Sequence, residues 1–359
     1  MKDKRCTITK MLLPYLAITP TLISCAGPMS PFGAHNPFTA KNVEYFAHDK
    51  TEALRDLSSE RVAKIEFYPS HMNYHDKGSV QIKITSPVQL TEESKFQIFY
   101  NNLNVTSDVV KKSQVEISAD GKQYLVTIPR IKLPAHKGHD VSVRFIGKDF
   151  ILEKEYPRPT CRLDKLNPIV DTYPFNVKKS FISSLQNYGK QKELNPSLMA
   201  GLIAKESGFN TKAVSWAKAI GLTQITELAE SHVLDQYKNW PEYPDLDNYS
   251  VATIKTLIKL GKVNENNEWR LNKRYSILGG ISYIRYIESY WDRYPEHIAR
   301  FGLTDLVLAS YNSGPYRVRR EIEKLGDSWL QSNQLNEARK YVKMVKSYCY
   351  HFSNGERYL

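Results

Sequence analysis

The sequence predicts an α+β protein with two domains, a β-sandwich followed by an all-α domain. Apolar residues recur at every second position over residues 61–156, which is typical of half-buried strands. Over residues 173–359 they recur at helical spacing instead. Pro157, Pro159 and Pro168 fall between the two patterns and mark residues 157–172 as a linker. With 359 residues, of which 41% are apolar, the chain is long enough to bury a core in each domain.

The first domain shows short period-two runs separated by turn-like pairs such as Lys77-Gly78 and Asp120-Gly121. This pattern predicts seven or eight short strands in a small β-sandwich of immunoglobulin type. The clearest runs are Ile65 and Phe67; Val80, Ile82 and Ile84; Phe96, Ile98 and Tyr100; Tyr124, Val126 and Ile128; and Val141, Val143 and Phe145. Since no catalytic motif lies among them, the domain is either a spacer or a binding surface.

The second domain contains amphipathic helices. Their apolar positions are three or four residues apart, so each helix presents one apolar stripe. The stripes are Val177, Phe181, Leu185 and Tyr188; Ile277, Ile281, Ile284 and Ile287; and Leu335, Ala338, Val342, Val345 and Cys349.

The N-terminus reads as an export signal. A basic start is followed by the apolar stretch Met11–Ser24, which is shorter than the roughly 20 residues of a membrane-spanning helix. The stretch ends in Leu22-Ile23-Ser24-Cys25, which resembles a bacterial lipobox. We therefore expect a signal peptide at residues 1–24, lipidation of Cys25 and a tether at 25–60, giving an outer membrane lipoprotein that faces the periplasm. The alternative is a conventional signal peptide with an incidental cysteine and secretion to the periplasm.

The chain is basic, with a formal charge of +12. Removal of residues 1–24 takes away four positive charges and one negative charge, which leaves about +9. No block of like charges and no nucleic-acid motif concentrates this charge, so it favours an anionic envelope and not nucleic acid as the partner. A protein of the envelope is a further possible partner, bound through the β-sandwich.

Cys161 and Cys349 remain after Cys25, an even pair in a compartment where disulfides persist. Because they bracket the helical domain, whose ends we expect to lie close together, we predict a disulfide between them. His71 and His75, with Asp76 beside them, have the i,i+4 spacing of a helical metal site, but Asn73 and Gly78 favour a solvated loop. We expect no metal there.

Glu206 is the strongest catalytic candidate. Asn195-Pro196 is a helix start and Gly208 a helix stop, and Glu206 falls on the apolar arc of that helix, one turn after Leu202. Burial there would raise the pKa of the carboxyl group and keep it protonated near neutral pH, as a general acid requires. The alternative is a core-facing glutamate neutralised by an arginine or by backbone hydrogen bonds.

Four motifs in the second half resemble those of soluble lytic transglycosylase (SLT) domains, which have a lysozyme-like fold. Family members typically read ESxFxxxAxSxxGAxGLMQ, and this chain has Glu206-Ser207-Gly208-Phe209 followed by Ala213, Ser215 and Ala219 to Gln224. The remaining motifs are Gly280, Tyr283 and Ile284; Ala309 to Gly314, similar to AAYNAG; and Arg339 to Val342.

The resemblance implies a lytic transglycosylase, a carbon-oxygen lyase that cleaves peptidoglycan glycan strands at the β-1,4 bond between N-acetylmuramic acid and N-acetylglucosamine. It implies Glu206 as acid and base, supported by Ser207. Gln224, Tyr311 and Asn312 would line the sugar groove, and Tyr341 would lie close to the glutamate. Protonation of a glycosidic oxygen needs only a carboxylic acid and a shaped groove, so we expect no metal or organic cofactor.

Several positions depart from the family pattern. Lys218 stands where the family usually has glycine, Thr223 where it has methionine and Ser276 where it has asparagine. The interval after Gln224 is also longer than usual, and its aromatic segment 237–248 is a candidate cap over the cleft. Two rival functions therefore stay open: a hydrolase similar to goose-type lysozymes, and a wall-binding lipoprotein that does not cleave.

The product depends on the number of carboxylates near Glu206. A glycoside hydrolase of either stereochemistry uses a second carboxylate. No Asp or Glu occurs between Ser207 and Thr226, and Glu227 reads as a first-turn residue of the next helix. The sequence therefore favours a 1,6-anhydro-muramyl product.

Overall fold

The computed structural model describes residues 62–75 and 78–356. The predicted signal peptide at 1–24, the lipidated Cys25 and the tether at 25–60 lie outside the described residues. All described residues belong to one compact unit, Ser59–Leu359. Within them, we find no helix with both the length and the apolar character that a membrane crossing requires.

Two antiparallel four-stranded sheets make up the N-terminal domain in the described residues. One sheet has the strand order β1-β2-β6-β5 and the other β4-β3-β7-β8. The strands are β1 (Lys64–Tyr68), β2 (Val80–Thr85), β3 (Lys95–Tyr100), β4 (Leu103–Asn104), β5 (Gln114–Ile117), β6 (Gln123–Ile128), β7 (Val141–Ile146) and β8 (Ile151–Glu155), and a short helix α1 (Thr106–Val110) follows β4.

The two sheets face each other across one core. In β2, Val80, Ile82 and Ile84 are buried and alternate with more exposed polar residues, and β7 shows the same alternation. The buried side chains of both sheets belong to a single hydrophobic cluster that includes Ile82 and Val143. The period-two pattern of the sequence therefore becomes the inner face of a sandwich.

The C-terminal domain is helical. Its α-helices are α2 (Lys179–Gln191), α3 (Pro196–Ser207), α4 (Glu227–Gln236), α5 (Val251–Lys259), α6 (Lys273–Trp291), α7 (Pro295–Phe301), α8 (Leu303–Ser313), α9 (Pro315–Leu325) and α10 (Asn336–Asn354). Short 3₁₀ turns occur at Leu246–Asn248, Trp269–Leu271, Gly326–Gln331 and Asn333–Leu335. The fold as a whole is thus α+β, as predicted.

Helix α3 lies at the centre of this domain. The side chain of Asn195 caps its first turn by accepting hydrogen bonds from the amides of Ser197 and Leu198, and Gly208 ends it in the left-handed conformation. Helix α10 packs so closely on α3 that a Cβ at Gly201 would lie 2.8 Å from the carbonyl oxygen of Val345. Because α3 is buried on nearly all sides, the side chains of its last turn are held in fixed positions.

The segment 157–172 is packed, although the sequence predicts only a linker there. Cys161, Leu163 and Ile169 are buried in the core of the helical domain. Cys161 forms a disulfide with Cys349 of α10, with the Cα atoms 6.0 Å apart. The segment therefore belongs structurally to the helical domain, because its few apolar side chains find partners that are distant in sequence.

Helix α10 also contacts the β-sandwich. The amide of Tyr74 donates to the hydroxyl of Ser347, and the hydroxyl of Ser70 donates to the Glu356 carboxylate just beyond the helix. The ring of His75 packs edge-on against Tyr348, with 3.7 Å between the centroids. The two histidines of the predicted solvated loop thus lie at the domain junction, where burial lowers the pKa of His75 to about 4.

Candidate active site

Glu206 lies in the last turn of α3, with its side chain largely enclosed by protein. Burial raises the pKa of its carboxyl group to about 7, against the opposing effects of the Tyr341 hydroxyl and the Lys205 ammonium group. No other carboxyl group of the described residues contributes to this shift. At neutral pH a substantial fraction of Glu206 is therefore protonated and available as an acid.

Two tyrosines adjoin Glu206, of which Tyr341 is buried and Tyr311 is half-buried. Tyr311 comes from the last turn of α8 and Tyr341 from the first half of α10, and their rings are nearly parallel with centroids 6.3 Å apart. The Tyr311 hydroxyl donates to the carbonyl oxygen of Thr223 at 2.8 Å. The Tyr341 hydroxyl makes no hydrogen bond of normal geometry within the described chain, but it is close enough to Glu206 to favour the ionised carboxylate. Burial raises the pKa of both tyrosines well above the usual value.

Ser207 joins α3 to the loop that follows it. Its hydroxyl donates to the carbonyl oxygens of Ile203 (3.1 Å) and Leu222 (2.9 Å). The first bond stays within the helix, and the second holds the loop 213–225 against the helix end that carries Glu206. Ser207 is therefore placed to position the glutamate and the loop relative to each other.

Gln224 lies in that loop with a positive φ of 50°. Its side-chain amide donates to the carbonyl oxygens of Ala213 (3.2 Å) and Gly221 (2.8 Å), so both N–H groups close the loop on itself. Asn312 is different, because its side chain is exposed and accepts from the hydroxyl of Ser313. The structure thus brings Glu206, Ser207, Tyr311 and Tyr341 together, whereas the Gln224 amide group is bonded within its own loop and the Asn312 side chain is exposed.

The three departures from the family pattern have structural partners. Lys218 has a positive φ of 60°, a conformation that glycine adopts freely, and its ammonium group donates to the carbonyl oxygen of Asp247 at 2.5 Å. The hydroxyl of Thr223 donates to the carbonyl oxygen of Ser276 at 2.9 Å. Two of the departures therefore contact each other, and the third ties the loop 213–225 to the extra segment 237–248.

A buried ion network underlies the loop. The Arg270 guanidinium bonds to Glu230 (2.7 Å) and Glu268 (2.7 Å) and lies 3.5 Å from Asp247, and the arginine is 1% exposed. A Cβ at Gly221 would lie 1.9 Å from the Arg270 carbonyl oxygen, so the chain around Arg270 forms the floor beneath the loop. No residue spacing in the sequence indicates this network, and Gly221 is the position whose residue type reflects the close approach.

The extra segment 237–248 packs beside this network. The ring of Trp240 lies 5.2 Å from that of Trp269 and stacks on Tyr237 at 4.1 Å. The Trp269 amide donates to the carbonyl oxygen of Pro241. These contacts fix the segment against the helical domain, and a role as a cap over the cleft stays a prediction.

An aromatic cavity of about 540 Å³ opens next to the turn after α8. Tyr283 lines it and also packs against Tyr311 with 5.2 Å between the rings, so the cavity adjoins the tyrosines around Glu206. Its other aromatic walls are Tyr286, Tyr290 and Tyr316, with Arg317 and Arg320 at its edge. Flat aromatic faces with hydroxyl groups suit the alternating apolar and polar faces of sugar rings.

Comparison with known proteins identifies part of the helical domain. Residues 183–253 match the family described as Transglycosylase SLT domain. Among curated proteins, none matches the chain.

Two solved structures are similar to the chain. One is an inactive mutant of the lytic transglycosylase Slt from Pseudomonas aeruginosa, at 22% identity over 52% of this chain and 27% of that chain, with a TM-score of 0.34. The other is the 70 kDa soluble lytic transglycosylase from Escherichia coli, at 23% identity over 51% of this chain and 25% of that chain, with the same TM-score of 0.34. The matched region spans about a quarter of each of those proteins. The family match covers residues 183–253 and agrees with the family resemblance that the sequence motifs indicate.

Proposed function

We propose that this protein is a peptidoglycan lytic transglycosylase in which Glu206 acts first as acid and then as base. The observation that carries the proposal is a carboxyl group with a pKa of about 7 that no second carboxyl group of the described residues influences. Such a group can deliver a proton at neutral pH and then accept one. A hydrolase would need another carboxylate near the bond to activate water or to act as nucleophile.

The reaction would cleave the β-1,4 bond between N-acetylmuramic acid and N-acetylglucosamine. Glu206 protonates the bridging oxygen as the C1–O bond breaks, and the 2-acetamido group of the muramic acid stabilises the positive charge at C1. The ionised Glu206 then takes the proton from the C6 hydroxyl of the same sugar as its oxygen bonds to C1. The carboxyl group is regenerated, no water is consumed, and the products are a 1,6-anhydro-muramyl end and a free 4-hydroxyl group.

The roles of the surrounding residues follow from their contacts. Tyr341 would stabilise the carboxylate after proton transfer, and Tyr311 would hold the loop at Thr223. Ser207 and Gln224 would keep that loop in place, and the exposed Asn312 would contact the glycan directly. Nothing in this scheme requires a metal or an organic cofactor.

Mass spectrometry of a peptidoglycan digest tests the proposal. Wild-type protein is expected to release muropeptides that are one water lighter than hydrolysis products, with no new reducing ends. Glu206→Gln should lose at least the roughly 10²- to 10⁴-fold that general acid catalysis supplies, whereas Glu227→Gln, an exposed first-turn glutamate of α4, serves as the matched control. Reducing ends without anhydro species would favour the goose-type hydrolase, and no products at all would favour a wall-binding lipoprotein.

We further propose that the protein is an outer membrane lipoprotein anchored through Cys25 and facing the periplasm, with an immunoglobulin-like sandwich as spacer or as docking surface for an envelope protein. The strand orders support the immunoglobulin assignment, since they correspond to A-B-E-D in one sheet and C′-C-F-G in the other. Membrane fractionation tests the anchor: Cys25→Ser should release the protein from membranes. An equally membrane-bound Cys25→Ser protein would contradict it.

A further inference from the structure

Trp216 lies in the loop 213–225 and is 90% exposed. The chain has five tryptophans, all within the described residues, and Trp216 is the only exposed one among them. Trp240 is half-buried, and Trp269, Trp291 and Trp329 are buried. Because tryptophan is a large residue that proteins bury for the most part, an indole ring in water indicates a contact surface. None of the roles proposed above uses it.

The turn that carries Trp216 is held by hydrogen bonds on both sides of the ring. The amide of Ser215 donates to the carbonyl oxygen of Ala219 (3.0 Å), and the amide of Ala219 donates to the Ser215 hydroxyl (3.0 Å). Val214 and Ile220, the next residues outward, form an antiparallel bridge. The indole ring therefore stands on a turn of fixed backbone conformation, so little conformational entropy would be lost when it meets a ligand.

Lys218 holds the same turn in a strained conformation. Its φ of 60° lies in the left-handed region, which disfavours residues that have a Cβ atom. Its ammonium group donates to the carbonyl oxygen of Asp247 at 2.5 Å and so bonds the turn to the extra segment 237–248. Tyr249, which is 39% exposed, comes directly after that segment. A second exposed aromatic residue thus follows the segment to which the Trp216 turn is bonded.

The base of the turn adjoins the helix end that carries the proposed catalytic residue. The amide of Gly221 donates to the carbonyl oxygen of Ala213 at 2.9 Å, which closes the base, and the hydroxyl of Ser207 holds the loop against the end of α3. Trp216 comes three residues after Ala213, a span of at most about 11 Å of extended chain. A glycan strand bound at the catalytic residue can therefore reach the indole ring with sugars beyond the cleaved bond.

A sugar ring suits this single fixed indole better than a membrane surface does. One indole can cover the flat apolar face of a pyranose, and its ring N–H can donate to a hydroxyl or acetamido oxygen. A segment that binds a membrane surface instead presents several apolar side chains together. The neighbours of Trp216 in the turn are Ser215, Ala217 and Lys218, which offer no such apolar face.

We propose that Trp216 stacks on a pyranose ring of the glycan strand outside the disaccharide that is cleaved, and that the protein therefore prefers long strands. The ligand is a β-1,4-linked chain of N-acetylated amino sugars. The proposal rests on the function proposed above, because it extends the contact with the same glycan. It gives Trp216 a role in the selection of strand length and none in proton transfer.

Fluorescence tests the contact without catalysis, because Trp216 is the tryptophan most open to solvent. Acrylamide quenching of the Glu206→Gln protein is measured with and without a β-1,4-linked N-acetylglucosamine hexamer. The hexamer should reduce the quenching, and the additional change Trp216→Phe should abolish this protection. Vesicles of phosphatidylethanolamine and phosphatidylglycerol should not protect. Protection by vesicles and not by the hexamer, or protection that persists in the Trp216→Phe protein, would overturn the proposal.

Activity on strands of different length separates this proposal from the proposed function. The kcat/KM ratio between long strands and the shortest strands that are cleaved should fall about tenfold in Trp216→Ala. It should stay constant in Tyr68→Ala, which removes an exposed aromatic ring from the β-sandwich. An equal loss for long and short strands would overturn the proposal. If wild-type protein cleaves no strand, the proposed function fails, while the quenching experiment still decides the contact.

Discussion

Replacement of Arg270 by methionine should destabilise the helical domain severely. The guanidinium of Arg270 balances Glu230 and Glu268, whose side chains are buried together with it. Methionine fills a similar volume but leaves both carboxylates without a counter-charge. Removal of one partner from a buried ion pair typically costs about 3–5 kcal/mol, which corresponds to a fall in Tm of about 6–20 °C for a domain of this size.

The loss should depend on pH. Burial already raises the pKa of Glu230 to about 7, although Arg270 opposes this shift. Without the arginine the Glu230 carboxyl group ionises less readily still. The Arg270→Met protein should therefore lose most stability above pH 7, where the buried carboxyl group ionises. Protonation at pH 5 relieves the uncompensated charge, and the difference in Tm from wild type should be smaller there.

Thermal unfolding at pH 5 and pH 8, followed by circular dichroism, measures both effects. Arg300→Met is the matched control, because Arg300 pairs with Asp327 on the surface, where such pairs contribute at most about 1 kcal/mol. The reasoning would be refuted by an Arg270→Met protein whose Tm falls no more than that of Arg300→Met. A loss that is larger at pH 5 than at pH 8 would contradict the assignment to uncompensated carboxylates.

Three further outcomes are expected. Burial raises the pKa of Glu206 to about 7 in the folded state, so ionisation of this carboxyl group destabilises the fold. The destabilisation is zero below the pKa of the unfolded state and complete above about pH 7. In denaturant titrations, Glu206→Gln should therefore be more stable than wild type at pH 8 by up to about 3 kcal/mol and equal to it at pH 4. In wild-type protein, kcat/KM should fall as pH rises through about 7. Tyr341→Phe should move this fall to higher pH, because the hydroxyl group that favours the ionised carboxylate is lost. A pH profile that does not move would exclude Tyr341 from this role. Cys161→Ala/Cys349→Ala should lower the unfolding free energy by up to about 5 kcal/mol, since the bond closes a loop with a sequence separation of 188, and reduction of wild-type protein should reproduce this loss in the same unfolding assay.

Local signals in the sequence predicted local structure well. The Asn195-Pro196 start and the Gly208 stop of α3 appear at the expected residues, and Gly314, the last residue of the motif that contains Tyr311, ends α8. Capping residues and hydrophobic periodicity act between neighbours along the backbone, so a sequence contains them completely. The position of Glu206 on the apolar arc of α3 is of this kind, and its raised pKa follows from it.

The long-range partners of the site could not be predicted from the sequence in this way. The four charged residues of the ion network lie on separate elements: Glu230 on α4, Asp247 and Arg270 on two different 3₁₀ turns, and Glu268 directly before the second of these turns. No spacing rule relates these elements. The burial of 157–172 depends equally on apolar partners that only the folded chain supplies.

The sequence by itself determined the family resemblance, the change from strands to helices and the identity of the catalytic candidate, because each depends on residue types at short, fixed spacings. The tertiary structure decided which side chains surround Glu206 and how the loop 213–225 is supported. Charge and burial act through space, so their effects appear only when distant segments have been brought into contact.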